Sequence, residues 1–187
     1  MDKTESLFFI ALLPPLEFQQ EANEIKQYFA HTYNSKAAQK SPPHITLQPP
    51  FKWKRDDLPV LEESLRAFGE VHSSIPVTLK GFGAFAPRVI YIKVVKTPEL
   101  LSLQAELMAY LELSLGIVHE VSTSRPFAPH LTVAFRDLTR KNFRLAWSEF
   151  EHRQLEYEFT ASELTLLIHD GSQWQISESF PLLGRTS

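Results

Sequence analysis

Hydrophobic and polar positions along the chain alternate between short apolar runs and stripes of 3.6-residue spacing. Leu7 to Leu13 is an unbroken apolar run and predicts a buried strand. Pro14-Pro15 ends it and suits the first turn of a helix with Phe18, Ala22, Ile25 and Phe29 on one face. A polar stretch, HTYNSKAAQKSPP, then leads into a short strand expected at His44 to Leu47. Asp57 can cap a second helix carrying Leu58, Leu61, Leu65 and Phe68, with Gly69 near its end. IPVTLKGFGAF alternates and predicts a strand that runs into a glycine-containing loop.

The order then starts again. Val89 to Val95 predicts a strand, and Thr97-Pro98 reads as an N-cap followed by proline at the first helical position. The helix it opens carries Leu100, Leu103, Leu107 and Leu111 in register, and a strand follows at His130 to Phe135. Thr139 caps a helix with Phe143, Trp147 and Phe150; YEFTASELTLLI predicts a strand pair or one long strand, and QWQISESFPL adds one more. Equivalent elements are offset by roughly 82 to 86 residues, which points to an internal duplication. The expectation is a single bilobal domain, with lobe one at about 1–86 and lobe two at about 87–187. A pseudo-twofold arrangement would bring equivalent strands together and set His44 opposite His130 in one cleft.

Composition narrows the classes of function. At 187 residues, with 43% hydrophobic and 22% charged content, the chain can bury a sizeable core, and disorder is excluded. A net charge of -3 lacks the excess of Lys and Arg that long duplex nucleic acid requires, leaving a nucleotide or short oligonucleotide as partner. The absence of cysteine removes disulfides, thiolate zinc sites and cysteine nucleophiles, and fits a cytoplasmic protein. SLFFIALLPP has no small-residue cleavage site, and its prolines stop it far short of a membrane span.

The chemistry concentrates in two echoing stretches, PPHITLQPPF from Pro42 and APHLTVAF from Ala128. In a strand, residues i and i+2 share a face, so His44 projects with Thr46 and His130 with Thr132. A phosphodiester under attack needs a base for the nucleophile, an acid for the leaving oxygen and donors for the non-bridging oxygens. Two imidazoles and two hydroxyls supply all of these, and an ordinary imidazole pKa of about 6.5 lets one ring be neutral while the other is charged. A divalent metal would want a third protein ligand, and neither motif carries one at ligand spacing. The remaining histidines, His31, His72, His119, His152 and His169, are scattered and read mostly as surface or turn residues; no metal and no cofactor is expected.

With these residues in place, the chain resembles the two-histidine (2H) phosphoesterases, specifically the bacterial 2′-5′ RNA ligase and cyclic phosphodiesterase branch. PHITLQPPF is similar to its first motif and APHLTVAF to its second; GFGAFAPRVIYIKV resembles the strand-turn-strand between them, and ELTLLIHDGSQWQISESFPL the closing hairpin. Alternating strands and helices ordinarily predict parallel βαβ units. The resemblance instead implies a bilobal α+β fold with largely antiparallel sheets flanking a central cleft and helices outside. It also implies metal-independent hydrolysis of 2′,3′-cyclic phosphates to 2′-phosphates, and in some members reversible 2′-5′ ligation. By carry-over, His130 activates water, His44 protonates the leaving 3′-oxygen, and Thr46 and Thr132 hold phosphoryl oxygens. Around the cleft, Arg88, Tyr91, Phe51, Lys52, Trp53, Arg125, Phe127 and Arg136 are candidates to stack bases or meet phosphates, although Phe51, Phe127 and Tyr91 suit a core better than a cleft. Two other readings stay open: action on another cyclic or 2′-5′ phosphodiester such as a cyclic phosphate of ADP-ribose, and a nucleotide or RNA-end binding module without turnover. The chain is expected to be a monomer.

Overall fold

The computed structural model describes residues 5–118 and 125–185. Among these residues the elements run β1 (Glu5–Leu12), α1 (Leu16–Tyr33), β2 (Ile45–Lys54), α2 (Leu58–Val71), β3 (Ile75–Phe85) and β4 (Val89–Val94). They continue through α3 (Pro98–Leu115), β5 (His130–Ala134), α4 (Arg140–Phe150), β6 (Glu156–Ala161), β7 (Glu163–His169) and β8 (Trp174–Pro181). His119, read above as a surface or turn histidine, lies outside the described residues.

The helical stripes bury as their spacing predicts. Phe18, Ala22, Ile25 and Phe29 of α1 are all buried, as are Leu61, Leu65 and Phe68 of α2 and Leu100, Leu103, Leu107 and Leu111 of α3. They join strand residues in one core that runs between the sheets and the helices. The Leu7–Leu13 run fails to alternate because β1 is covered on both sides: Phe8, Ile10 and Leu12 enter that main core. Phe9 and Ala11 pack with Leu167, Leu13 and Trp174 in a second, small cluster. Thr97 and Thr139 cap as expected, their side-chain oxygens accepting the N–H of Leu100 and Asn142 at 3.2 Å each. Asp57 does not. A 3-10 turn at Arg55–Asp57 feeds straight into α2, so Asp57 has near-helical ψ instead of the extended backbone of a capping residue, and its carbonyl accepts the Trp53 Nε1–H. Gly69 lies inside α2, where the end of β8 crosses so closely that a Cβ would collide with the Pro181 carbonyl oxygen.

Two four-stranded sheets result, ordered β2-β1-β7-β8 and β5-β4-β3-β6, with every pairing antiparallel. The fold is mixed α+β with two lobes, and the parallel units that the element order ordinarily predicts do not form. Leu12 pairs with Ile45, so residues 13–44 leave and return to the same end of the sheet. In both sheets the HxT strand (β2, β5) lies at the edge, beside the strand that opens its half of the chain (β1, β4). An edge position is also what lets β2 contain Pro49 and Pro50 and extend to Lys54, well beyond the short strand expected.

The strands are shared between the halves. The boundary expected near 86/87 falls in the β3–β4 turn, inside one sheet, because β3 pairs with β4 and β6 while β7 and β8 return to pair beside β1. Ser162 alone separates β6 in one sheet from β7 in the other, so YEFTASELTLLI is a strand pair split between lobes. Among the described residues no helix is long and apolar enough to cross a membrane.

Candidate active site

His44 immediately precedes β2 and His130 begins β5; each is followed two residues on by its threonine, and all four side chains are half-buried. Together they line one cavity of about 680 Å³ between the sheets. The local chain sets both rings alike. Pro43 and Pro129 hold the preceding residue extended, so its carbonyl turns back toward the histidine ring. The Pro42 carbonyl accepts from His44 Nδ1 at 2.7 Å, and the Ala128 carbonyl from His130 Nδ1 at 2.7 Å. A carbonyl can only accept, so Nδ1 carries the proton in each ring, and Nε2 is left to take up or give one.

Aromatic rings wall both imidazoles. Phe9 of β1 lies 4.7 Å from the His44 ring, and Trp174 packs edge-on against Phe9 at 4.6 Å. Phe85 meets His130 edge-on at 5.0 Å, with Tyr91 at 5.3 Å. This burial drives the electrostatics. It pushes His44 down to about 4, reinforced by the charges of Lys26 and His130 and opposed by the Pro42 carbonyl. Burial also lowers His130, opposed by the Ala128 carbonyl.

One wall of the cavity is the segment from Lys36 to Ser41, which presents Lys36 and Lys40. Asp137, just beyond β5, holds it: its carboxylate accepts from Ser35 Oγ at 2.9 Å, Lys36 N at 2.8 Å and Ala37 N at 3.0 Å. Lys26 of α1 donates to the Ser41 carbonyl at 2.9 Å from the buried side. Arg136 lines the same cavity with a left-handed backbone (φ 61°), a conformation a bulky residue rarely adopts, and its guanidinium lies 5.1 Å from the Phe135 ring. A second cavity of about 470 Å³ shares Thr46, Phe85 and His130 and extends along α3 to Arg125 and Phe127. His130 and Thr46 therefore border both cavities, and His44 the first alone.

The other residues singled out in the sequence divide three ways. Arg136 and Arg125 border one or the other of these cavities. Tyr91 contacts the His130 ring without lining either cavity, and Phe51 is buried against Phe8 in the core. Arg88 is exposed in the β3–β4 turn and borders neither, and Lys52 faces a separate depression with Ser6, Arg55 and Asp170. Sequence reasoning passed over Phe9, Phe85, Lys36, Lys40, His169 and Trp174, all on the main cavity wall. Only the quoted closing hairpin pointed toward His169 and Trp174. His169 accepts the Gly171 N–H on Nδ1 at 3.1 Å, the opposite tautomer to the HxT histidines. Among the described residues no three His, Asp or Glu side chains converge as a metal-binding group.

Comparison with known proteins agrees with this architecture. A relative from Bacillus cytotoxicus, provisionally named a phosphoesterase, is 28% identical over 176 residues, covering 92% of this chain and 95% of that protein. One from Geobacillus kaustophilus, named likewise, is 27% identical over 182 residues, covering 94% and 96%. Among solved structures, TT0787 of Thermus thermophilus superposes with a TM-score of 0.69 at 21% identity over 96% of this chain and 100% of that one. LigT of E. coli in its apo form gives 0.61 at 18% identity, over 95% and 98%. The family model of the 2′-5′ RNA ligase superfamily matches residues 14–173, and the chain belongs to that superfamily of phosphoesterases.

Proposed function

We propose that the protein is a metal-independent phosphodiesterase that opens a 2′,3′-cyclic phosphate, at an RNA end or on a nucleotide, to a 2′-phosphate. The observation that carries this reading is the matched setting of the two imidazoles. Each is tied at Nδ1 to the carbonyl two residues back, and both border a cavity that they share with two threonines. Water attacks phosphorus as His130 Nε2 removes its proton; the bond from phosphorus to the 3′-oxygen breaks, and His44 Nε2–H protonates that oxygen. The Thr46 and Thr132 hydroxyls donate to the non-bridging oxygens as charge builds there. Of the two rings His44 is displaced further toward acidity, so when charged it is the stronger acid, and His130 is the stronger base. Burial keeps both rings neutral in the empty site, and the negative charge of the phosphodiester favours the imidazolium that the reaction needs. A 5′-hydroxyl in place of water, taken through the same steps, gives a 2′-5′ linkage and a free 3′-hydroxyl; with the steps reversed, the 3′-hydroxyl attacks and the same groups cleave that linkage.

LigT has been crystallised with phosphate, 3′-AMP, ATP and NADP+, all phosphate-bearing and three of them nucleotides. The Lys36, Lys40 and Arg136 wall favours a second reading, a cyclic or 2′-5′ phosphodiester on a molecule carrying further phosphates, such as ADP-ribose. A binding module without turnover would need donors but no poised acid and base. The proposed enzyme is cytoplasmic and works as a monomer. Incubation of a 2′,3′-cyclic nucleotide and a cyclic-phosphate-ended oligonucleotide with excess EDTA tests the proposal. Wild type releases a 2′-phosphate and His130→Ala does not; silence of wild type on both substrates rejects RNA-end hydrolysis.

A further inference from the structure

The apolar stripe of α1 is interrupted by one charge. Lys26 is 1% exposed and takes its place in the stripe with Ile25, Phe29 and Ala30. Its ammonium donates to the Ser41 carbonyl at 2.9 Å, and among the described residues no carboxylate forms an ion pair with it. A buried ammonium without a counter-ion opposes folding, and methionine would fill the same space without that penalty. The charge therefore calls for another explanation, and its position supplies one. Ser41 is the residue before Pro42, whose carbonyl holds His44 Nδ1, so two successive carbonyls are fixed by a lysine on one side and a histidine on the other.

The charged and titratable groups facing His44 come from several elements. Lys26 comes from α1, Lys36 and Lys40 from the 36–41 wall, and His130, Arg136 and Asp137 from β5 and its end, with His169 at the end of β7. Of these, Lys26 and His130 are the two whose charge bears on His44. We infer that Lys26 is a positioning residue for the proposed acid–base pair: from beneath the site it fixes the Ser41–Pro42 turn that orients the His44 ring, and it sets a positive charge beside that ring. Burial lowers Lys26 itself to about 8, so it is still largely charged at neutral pH. A phosphodiester entering the cavity brings the countercharge that the protein withholds, and His44 then takes up its proton.

The inference rests on the acid–base reading of the histidines, yet its first test needs no substrate. The His44 ring is titrated by NMR in wild type, Lys26→Met and Lys26→Gln; glutamine keeps a donor for the Ser41 carbonyl and removes the charge. In both variants the His44 midpoint is expected to rise by about half a pH unit, with His130 nearly unmoved and the melting temperature equal or higher. If both rings titrate as in wild type in either folded variant, the inference is overturned. The second arm is kinetic. In Lys26→Gln the alkaline limb of the kcat profile, which reports loss of the His44 proton in the complex, moves up by the same amount while KM stays within about twofold; a uniform loss of kcat with no change in profile also overturns it. Should wild type prove inactive on every phosphodiester, the titration still decides the role of Lys26, and only the functional reading falls.

Discussion

Removing the His44 imidazole should flatten the acid side of the protein's stability profile. The folded state holds His44 at about 4 against an ordinary 6.5, first through burial. The folded ring therefore binds protons less readily than the unfolded one. The stabilisation this represents is fully present above pH 6.5 and is lost as pH falls through the window down to about 4. At 1.36 kcal/mol per pH unit, the interval corresponds to about 3 kcal/mol, and the ring's partial solvent contact reduces it to roughly 2 kcal/mol. Glutamine at position 44 keeps a side-chain amide in place of the ring and cannot titrate. Urea unfolding of wild type and His44→Gln at pH 7, 6, 5 and 4 isolates the difference, because every carboxylate and every other histidine titrates in both proteins. Wild type should lose about 2 kcal/mol more than the variant over that range. Parallel pH profiles would refute the argument that the fold suppresses protonation of His44.

Four further outcomes follow from the geometry. His44→Ala and His130→Ala should each remove most turnover, by about 10²- to 10⁴-fold, with the double variant little worse, because the two rings act as one unit in steady-state assays. With a nitrophenyl ester, whose leaving group departs without a proton, His44→Ala should regain most of its lost rate and His130→Ala should not; the opposite pattern would exchange the assigned roles. Thr46→Val and Thr132→Val should each lower kcat/KM by about 10²-fold with unchanged melting temperature, since each removes a donor that the proposed mechanism uses on the phosphoryl oxygens. Gly69→Ala should destabilise by about 1–3 kcal/mol in denaturant unfolding, because the Pro181 carbonyl that its methyl meets is backbone and cannot rotate away.

The helices and the two HxT motifs were legible because their signals are local. Phe18, Ala22, Ile25 and Phe29 follow the 3.6-residue period whatever surrounds them, and His44 and Thr46 share a strand face in any sheet. Their approach to His130 and Thr132 was legible from the repetition of whole elements. Strand direction was not, since an apolar run such as Leu7–Leu13 reads the same beside a parallel or an antiparallel neighbour, and the membership of β3, β7 and β8 is decided by tertiary pairing. The same limit explains the candidates that misplaced. Phe51 and Phe9 are both phenylalanines in strands that pair with each other, yet one enters the core and the other walls His44; register and bulges decide which, and neither is written in residue type. His169 looked like one of several scattered rings because the hairpin that carries it to the cavity is formed by residues distant in sequence from both motifs.

The return of β7 and β8 to the first sheet has a consequence during synthesis. A ribosome that has delivered everything through β6 has made both histidines, both threonines and the entire second sheet, yet β1 still has one open edge and the cavity lacks the wall formed by His169 and Trp174. The nascent chain thus carries its chemistry for some time without a closed chamber to use it in. Capture of the last hairpin is the event that completes the chamber, so a chain that stops anywhere before Glu163 leaves β1 with an open edge and the cavity without that wall.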